Sequence, residues 1–169
     1  MDENPTASVD HDGVEIIGAK AIHADAIGRL WTKLVAYHRV LDDKLPQAAD
    51  DGDLLYARRI LDRLEDTHTK VFVAQADGET IGFVLGVIVD LVPEMFEPEM
   101  GGFLADIFVE EAYRGKGVGR KLVMALSEWF KARGVQHMEL YVASRNESGR
   151  AFWESVGGRE IMRRVRIEL

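Results

Sequence analysis

No cysteine occurs among the 169 residues, which excludes disulfides, thiolate metal sites and any covalent intermediate on a cysteine sulfur. No apolar run approaches the roughly 20 residues of a membrane span. The N-terminus, Met1-Asp2-Glu3-Asn4-Pro5, carries acid where a signal peptide has basic and apolar regions, so a cytoplasmic protein away from membranes is expected. Basic side chains are outnumbered, 21 Lys and Arg against 29 Asp and Glu, for a net charge of -8. That balance argues against broad nucleic-acid binding, which depends on accumulated positive charge. The five histidines are scattered without ligand spacing, and no metal is expected.

What is present suits one domain. Hydrophobic residues make up 47% of the chain, enough for a real core. Residues 1–12 are polar and lack periodicity, which reads as a flexible tail, leaving 13–169 as a single domain. A first strand is predicted from Val14 to Lys20. A helix follows from His23 to Tyr37, with Ile27, Leu30, Trp31, Leu34 and Val35 on one side, then a second from Leu54 to Glu65. Between them, Asp42-Asp43-Lys44-Leu45-Pro46 and Asp50-Asp51-Gly52-Asp53 read as a solvated connection. Lys70–Ala76 and Thr80–Val89 flank Asp77-Gly78, a strong hairpin signal. In the second of these strands Gly82 and Gly86 share a face and leave space on it.

The most specific stretch is Tyr113-Arg114-Gly115-Lys116-Gly117-Val118-Gly119-Arg120-Lys121, a glycine-rich turn with four basic residues. Before it, Phe103–Val109 has strand composition and is bounded by Gly101-Gly102 and Glu110-Glu111. After it, Val118, Leu122, Leu126, Trp129 and Phe130 form one apolar helical face until Gly134. Strand, glycine turn and helix N-terminus together form an anion site, because glycine lets the backbone approach and the first helical N-H groups are unpaired. Lys116, Arg120 and Lys121 oppose the helix dipole by about 0.3 to 1 kcal/mol each, so a bound anion explains their placement better than helix stability does. A dinucleotide fingerprint would need glycine where Arg120 stands, and a P-loop would need Ser or Thr after Gly-Lys. Neither is supported.

Arg114-x-x-Gly117-x-Gly119 resembles the acyl-CoA pyrophosphate loop of the GCN5-related N-acetyltransferases. The likeness continues in Leu140-Tyr141-Val142-Ala143-Ser144-Arg145-Asn146, similar to that family's fifth strand with its Asn, and in Ala151-Phe152-Trp153-Glu154-Ser155-Val156-Gly157, similar to the short helix after it. It covers residues 69 to 169, while 14 to 68 match only in layout. The fold implied is α/β: a mixed, mostly antiparallel twisted sheet with splayed central strands and helices on both faces, its strands including Met138–Val142 and a last one near Ile161–Leu169. The resemblance implies acetyl-CoA as acyl donor, its pantetheine arm lying in the splay beside Ile107, Phe108 and Val109 like an added strand. Its pyrophosphate would lie on Arg114, Gly115, Lys116, Gly117, Val118, Gly119 and Arg120. Asn146 has two readings, a cap for the helix beginning near Ser148 or an amide bonded to the CoA arm. Trp153 stands where many relatives have a tyrosine that protonates the departing thiolate, and an indole offers no useful acid. A CoA thiolate leaves well without one, with a thiol pKa near 8.5 by analogy with cysteine.

An amine acceptor must lose a proton first. With a pKa of about 10.4, only about one lysine-like amine in 2,500 is neutral at pH 7, a penalty near 4.6 kcal/mol. Asp106 is the leading candidate for the base: it lies within an apolar strand, where an unpaired carboxylate is costly, and it matches an aspartate of polyamine-acetyltransferase-like members. A buried structural hydrogen bond is the competing reading. Glu110 and Glu111 read as solvated strand-end charges. Tyr141 is too weak a base near neutrality and is expected to shape the acceptor cleft or to pack across strands. The acidic balance and the segment Asp90–Glu99 favour a small cationic amine as acceptor. The same segment reads equally as a solvated loop whose Met95 and Phe96 are expected to pack down or to meet a second subunit in a homodimer. A protein N-terminus or lysine, or a CoA-binding sensor or scaffold with little catalysis, are the alternatives.

Overall fold

The computed structural model describes residues 13–169, and the tail expected at residues 1–12 lies outside them. Strand β1 (Val14–Gly18) is followed by helices α1 (Ala24–Leu41) and α2 (Gly52–Leu64). Next come β2 (Thr69–Ala76), β3 (Glu79–Asp90) and β4 (Met100–Val109), then α3 (Val118–Lys131), β5 (Met138–Glu139) and α4 (Glu147–Ser155). The five strands lie in sequence order, antiparallel except for the parallel pair β4 and β5.

The hairpin between β2 and β3 forms as its sequence demands. Asp77 and Gly78 both take positive φ, 51° and 82°, the twist that a two-residue turn between antiparallel strands needs. The sheet is covered on both faces. On one side α3 presents Val118, Leu122, Val123, Leu126, Trp129 and Phe130 to Phe72, Ala74, Val84 and Leu104. On the other, Ile27 and Leu30 of α1 and Tyr56, Ala57 and Ile60 of α2 pack on Val71, Val73, Phe83, Leu85 and Phe108. The space predicted beside Gly86 belongs to α3: a Cβ there would stand 2.5 Å from Leu126 Cδ1. A missing side chain in the sheet thus lets the helix settle close against it.

Two strand predictions are corrected. The segment Met138–Val142 is strand only at Met138–Glu139, because β4 and β5 pair only at Gly102 with Met138 and Phe103 with Glu139 before diverging. The strand near Ile161–Leu169 is absent: residues 159–169 are irregular and exposed. Val165, Ile167 and Leu169 have the right alternation, but a two-residue β5 offers no long edge to pair with. Arg166 instead donates to the Lys44 carbonyl at 2.9 Å. Gly101 and Gly102, read as the boundary of β4, are buried within it, and a Cβ on Gly102 would meet the Phe130 ring at 2.7 Å. Smaller shifts extend α1 past Tyr37 to Leu41 and end β1 at Gly18.

Candidate active site

Strand β4 carries a bulge that the site depends on. Leu85 faces Asp106 but Gly86 faces Leu104, so Ala105 is the extra residue. Side-chain alternation slips by one there. Leu104 packs toward α3, Ala105 toward α1 and α2, and Ile107 again toward α3. Asp106 consequently shares Ala105's side, where the Tyr56 hydroxyl of α2 donates to its Oδ2 at 2.8 Å. Burial pushes the Asp106 carboxyl above the usual carboxylate range, against the Tyr56 hydrogen bond and the Arg59 charge. Burial, then the Asp106 charge, pushes the Tyr56 phenol upward as well.

Beyond Phe103 the side of β4 toward β5 has no ladder partner. Residues 104–109, including Ile107, Phe108 and Val109, therefore border a wedge between diverging strands. At its mouth the chain turns through Gly115 and Gly117, with φ of 74° and 81°, into α3. Gly117 is the N-cap residue, and no side chain caps the helix. The first-turn N-H groups of α3 are thus available to an anion. Val118 is buried in the α3 core face, so only its backbone can serve the turn.

The basic residues of the turn are not equivalent. Arg114 donates from Nε to the Val109 carbonyl at 2.9 Å, and its guanidinium lies 5.1 Å from the Phe108 ring and 5.4 Å from the Tyr37 ring. It therefore ties the end of β4 to α1 as well as bordering the turn. Lys116 stands 5.5 Å over the Tyr113 ring. Arg120 reaches Ser155 at the end of α4, with Nη2 3.1 Å from the hydroxyl. Gly119 faces Phe152, and a Cβ there would be 3.5 Å from the ring.

Asn146 caps α4. Its Oδ1 accepts from Gly149 N at 2.9 Å, from the Ser148 hydroxyl at 3.2 Å and from the Tyr37 hydroxyl at 3.2 Å. The two roles considered for Asn146 divide between its atoms: the oxygen is committed to the cap, and Nδ2 donates to nothing among the described residues. Trp153 is half-buried, edge-on to Phe152 at 4.9 Å, and both pack on the α3 side of the core. Tyr141 is largely exposed and meets Phe103 edge-on at 5.4 Å, within reach of the wedge but far from a buried position. Glu110, read as a solvated charge, is instead paired with Lys33 of α1, because the strand end lies under that helix. Glu111 is exposed.

Sequence reading missed Tyr37 and Tyr56, which join α1 and α2 to the site. Each lies on the apolar side of an amphipathic helix, where a phenol is indistinguishable from ordinary core. Only the presence of Asp106 in an apolar strand called for a buried donor. Among the described residues no group of three or more His, Asp or Glu side chains is placed to hold a metal ion, and no helix is long and apolar enough to cross a membrane.

Comparison with known proteins gives this geometry a setting. An uncharacterized N-acetyltransferase of Archaeoglobus fulgidus is 33% identical over 100 residues, 59% of this chain and 65% of that protein, so the chain spans just under two thirds of that relative. An aminoglycoside N(6')-acetyltransferase type 1 of Salmonella typhimurium is 28% identical over 118 residues, 70% of this chain and 79% of its own. The solved aminoglycoside N-acetyltransferase AAC(6')-Iy in complex with CoA shares the fold with a TM-score of 0.73 at 22% identity, covering 97% of this chain and 96% of that one. The model of the acetyltransferase (GNAT) family matches residues 34–157, a span that takes in both the bulged strand with Asp106 and the glycine turn, and the chain belongs to that family.

Proposed function

We propose that the protein is an acetyl-CoA-dependent N-acetyltransferase that passes the acetyl group directly to a primary amine of a small cationic molecule. One observation carries this reading: the uncapped N-terminus of α3, behind Gly115 and Gly117, opens at the mouth of the wedge where β4 loses its partner. A pyrophosphate suits the helix end, and an amide-bearing arm suits the side of β4 at Ile107 and Val109 that has no ladder partner, where the Val109 carbonyl already accepts from Arg114. Asn146 adds a donor through Nδ2. The turn residues Arg114, Lys116 and Arg120 add positive potential.

The amine reaches the sheet from the side of α1 and α2, where Asp106 lies. Its ammonium gives a proton to Asp106, and the neutral nitrogen attacks the thioester carbonyl carbon. Collapse of the tetrahedral intermediate breaks the carbon-sulfur bond, and the second proton shed by the nitrogen passes through water to the departing CoA thiolate, since Trp153 has none to give. A raised carboxyl pKa helps, because it brings the base closer to the pH at which it works. Asp106 and the excess of acidic over basic side chains in the chain favour a cationic acceptor, and the name of the Salmonella relative supports a small amine.

The indole at Trp153 favours a second reading, a CoA-responsive binding protein with little turnover. A thiol-release assay across polyamines, amino acids, aminoglycosides and N-terminal peptides separates the two. A transferase releases CoA far faster with at least one amine than with buffer. Tight acetyl-CoA binding with no stimulated release anywhere in the panel selects the binding protein.

A further inference from the structure

We infer that Tyr56 is a positioning residue for Asp106, holding one carboxylate oxygen so that the other is presented to the acceptor ammonium. The inference rests on the transferase reading above and adds a residue to it. Ala105, as the bulge residue, turns the Asp106 side chain away from α3 and toward α1 and α2. Tyr56 is 7% exposed and held on two sides. Its ring stacks on Trp31 at 4.8 Å with the planes 10° apart, and meets Phe83 edge-on at 6.1 Å. A ring so confined has one direction for its hydroxyl, and that hydroxyl donates to Asp106 Oδ2 at 2.8 Å.

The other oxygen is left for chemistry. Among the described residues Oδ1 has no hydrogen-bond partner and no fully buried side-chain oxygen is unsatisfied, so Oδ1 is not fully buried. A carboxylate pinned at Oδ2 and open at Oδ1 has a fixed lone-pair direction for an incoming proton, the kind of orientation that a triad's third member gives its base. The groups facing Asp106 are few. From α2 come Tyr56 and Arg59. From β3 comes the apolar Leu85. Of the polar groups on α1, Lys33 is turned to Glu110 and Tyr37 to Asn146.

Tyr56→Phe tests this, because it deletes the hydroxyl and keeps the ring stacked on Trp31. The readout is kcat and KM against pH, with the best amine from the thiol-release panel. Without the donor, the Asp106 carboxylate is less stabilised and its pKa rises further. The acidic limb of kcat/KM should therefore move up by about 0.5 to 1 pH unit. At pH 7 kcat should fall about 5- to 20-fold, while KM for acetyl-CoA stays within about twofold. A melting temperature within about 5 °C of wild type shows that the fold is retained. A uniform loss at every pH with the limb unmoved reduces Tyr56 to a packing residue and overturns the inference, as does an unchanged profile. Failure of the underlying reading looks different. If Asp106→Asn keeps full activity, or if no amine is acetylated by wild type, the transferase reading with Asp106 as base falls, and this inference falls with it.

Discussion

The Tyr37 hydroxyl of α1 donates to Asn146 Oδ1 at 3.2 Å, joining the first helix of the chain to the cap of α4. Ser148 and Gly149 N complete the set of donors on the same oxygen. The amide is thereby oriented, with Oδ1 in the cap and Nδ2 beside Gly149, where an added Cβ would stand 2.5 Å from it.

Asn146→Asp follows from that division. Aspartate caps as well as asparagine, so the melting temperature should hold within a few degrees. The lost Nδ2 donor should weaken acetyl-CoA binding about tenfold, the scale of one hydrogen bond of about 1.5 kcal/mol, measured by calorimetry. Asn146→Ala should in addition cost about 1 kcal/mol of stability. Equal affinity in the aspartate variant would confine Asn146 to capping.

Two glycines of the turn should respond in opposite ways. Gly117 has φ of 81°, so Gly117→Glu strains the backbone by about 1 to 2 kcal/mol and puts bulk and negative charge where phosphate belongs. Acetyl-CoA binding should be lost. Gly119 lies inside α3, and its added Cβ would make ordinary contact with Phe152 at 3.5 Å. Gly119→Ala should raise stability by about 0.5 to 1 kcal/mol, the helix preference for alanine, with acetyl-CoA affinity within about twofold. Denaturant titration and calorimetry on the pair read both effects.

That contrast was half legible in the sequence. The glycine turn between strand and amphipathic helix, and the Asp77-Gly78 hairpin, are local signals read without knowing their neighbours. The bulge at Ala105 is not local. It is set by how β3 and β4 register, and neither Ala105 nor Asp106 marks the slip in an apolar alternation. Gly86 and Gly102 looked like spare room and a strand boundary, because the side chains that fill them, chiefly Leu126 at Gly86 and Phe130 at Gly102, come from a helix distant in sequence. Tyr56 was hidden for a related reason: what distinguishes it from core is the carboxylate it meets 50 residues later. The strand expected near Ile161–Leu169 depended on an edge to pair with, and no local signal shows whether such an edge awaits it.

Acid should destabilise the fold through His23. This side chain is 4% exposed, and its Nδ1 accepts from Lys20 N at 2.9 Å. Burial first, and the Lys20 charge second, hold its pKa below 6.5. The unfolded chain therefore binds a proton more readily than the folded one. The stability from His23 is complete above about pH 6.5 and is lost as pH falls through the lower folded value. His38, lowered by burial, adds in the same direction. Urea titrations from pH 7.5 to 5 should show stability falling. His23→Gln should flatten part of that slope, and an equally steep slope in the variant would remove His23 as its source.

Asp106 carries the opposite sign, and this separates its chemistry from its effect on the fold. Its folded pKa is raised, so the ionised carboxylate costs stability at neutral pH, and that cost disappears below the unfolded value near 3.9. Asparagine keeps an oxygen for the Tyr56 hydroxyl and carries no charge. Asp106→Asn should therefore be at least as stable as wild type at pH 7, with the advantage gone by about pH 4. Turnover should fall at least tenfold, as for loss of a positioned base, and acetyl-CoA affinity should be nearly unchanged because the turn from Arg114 to Arg120 is untouched. A variant that is both less stable and less active at pH 7 would mean that the carboxylate serves the fold. One that is more stable and inactive marks Asp106 as a group whose burial is tolerated for its reaction.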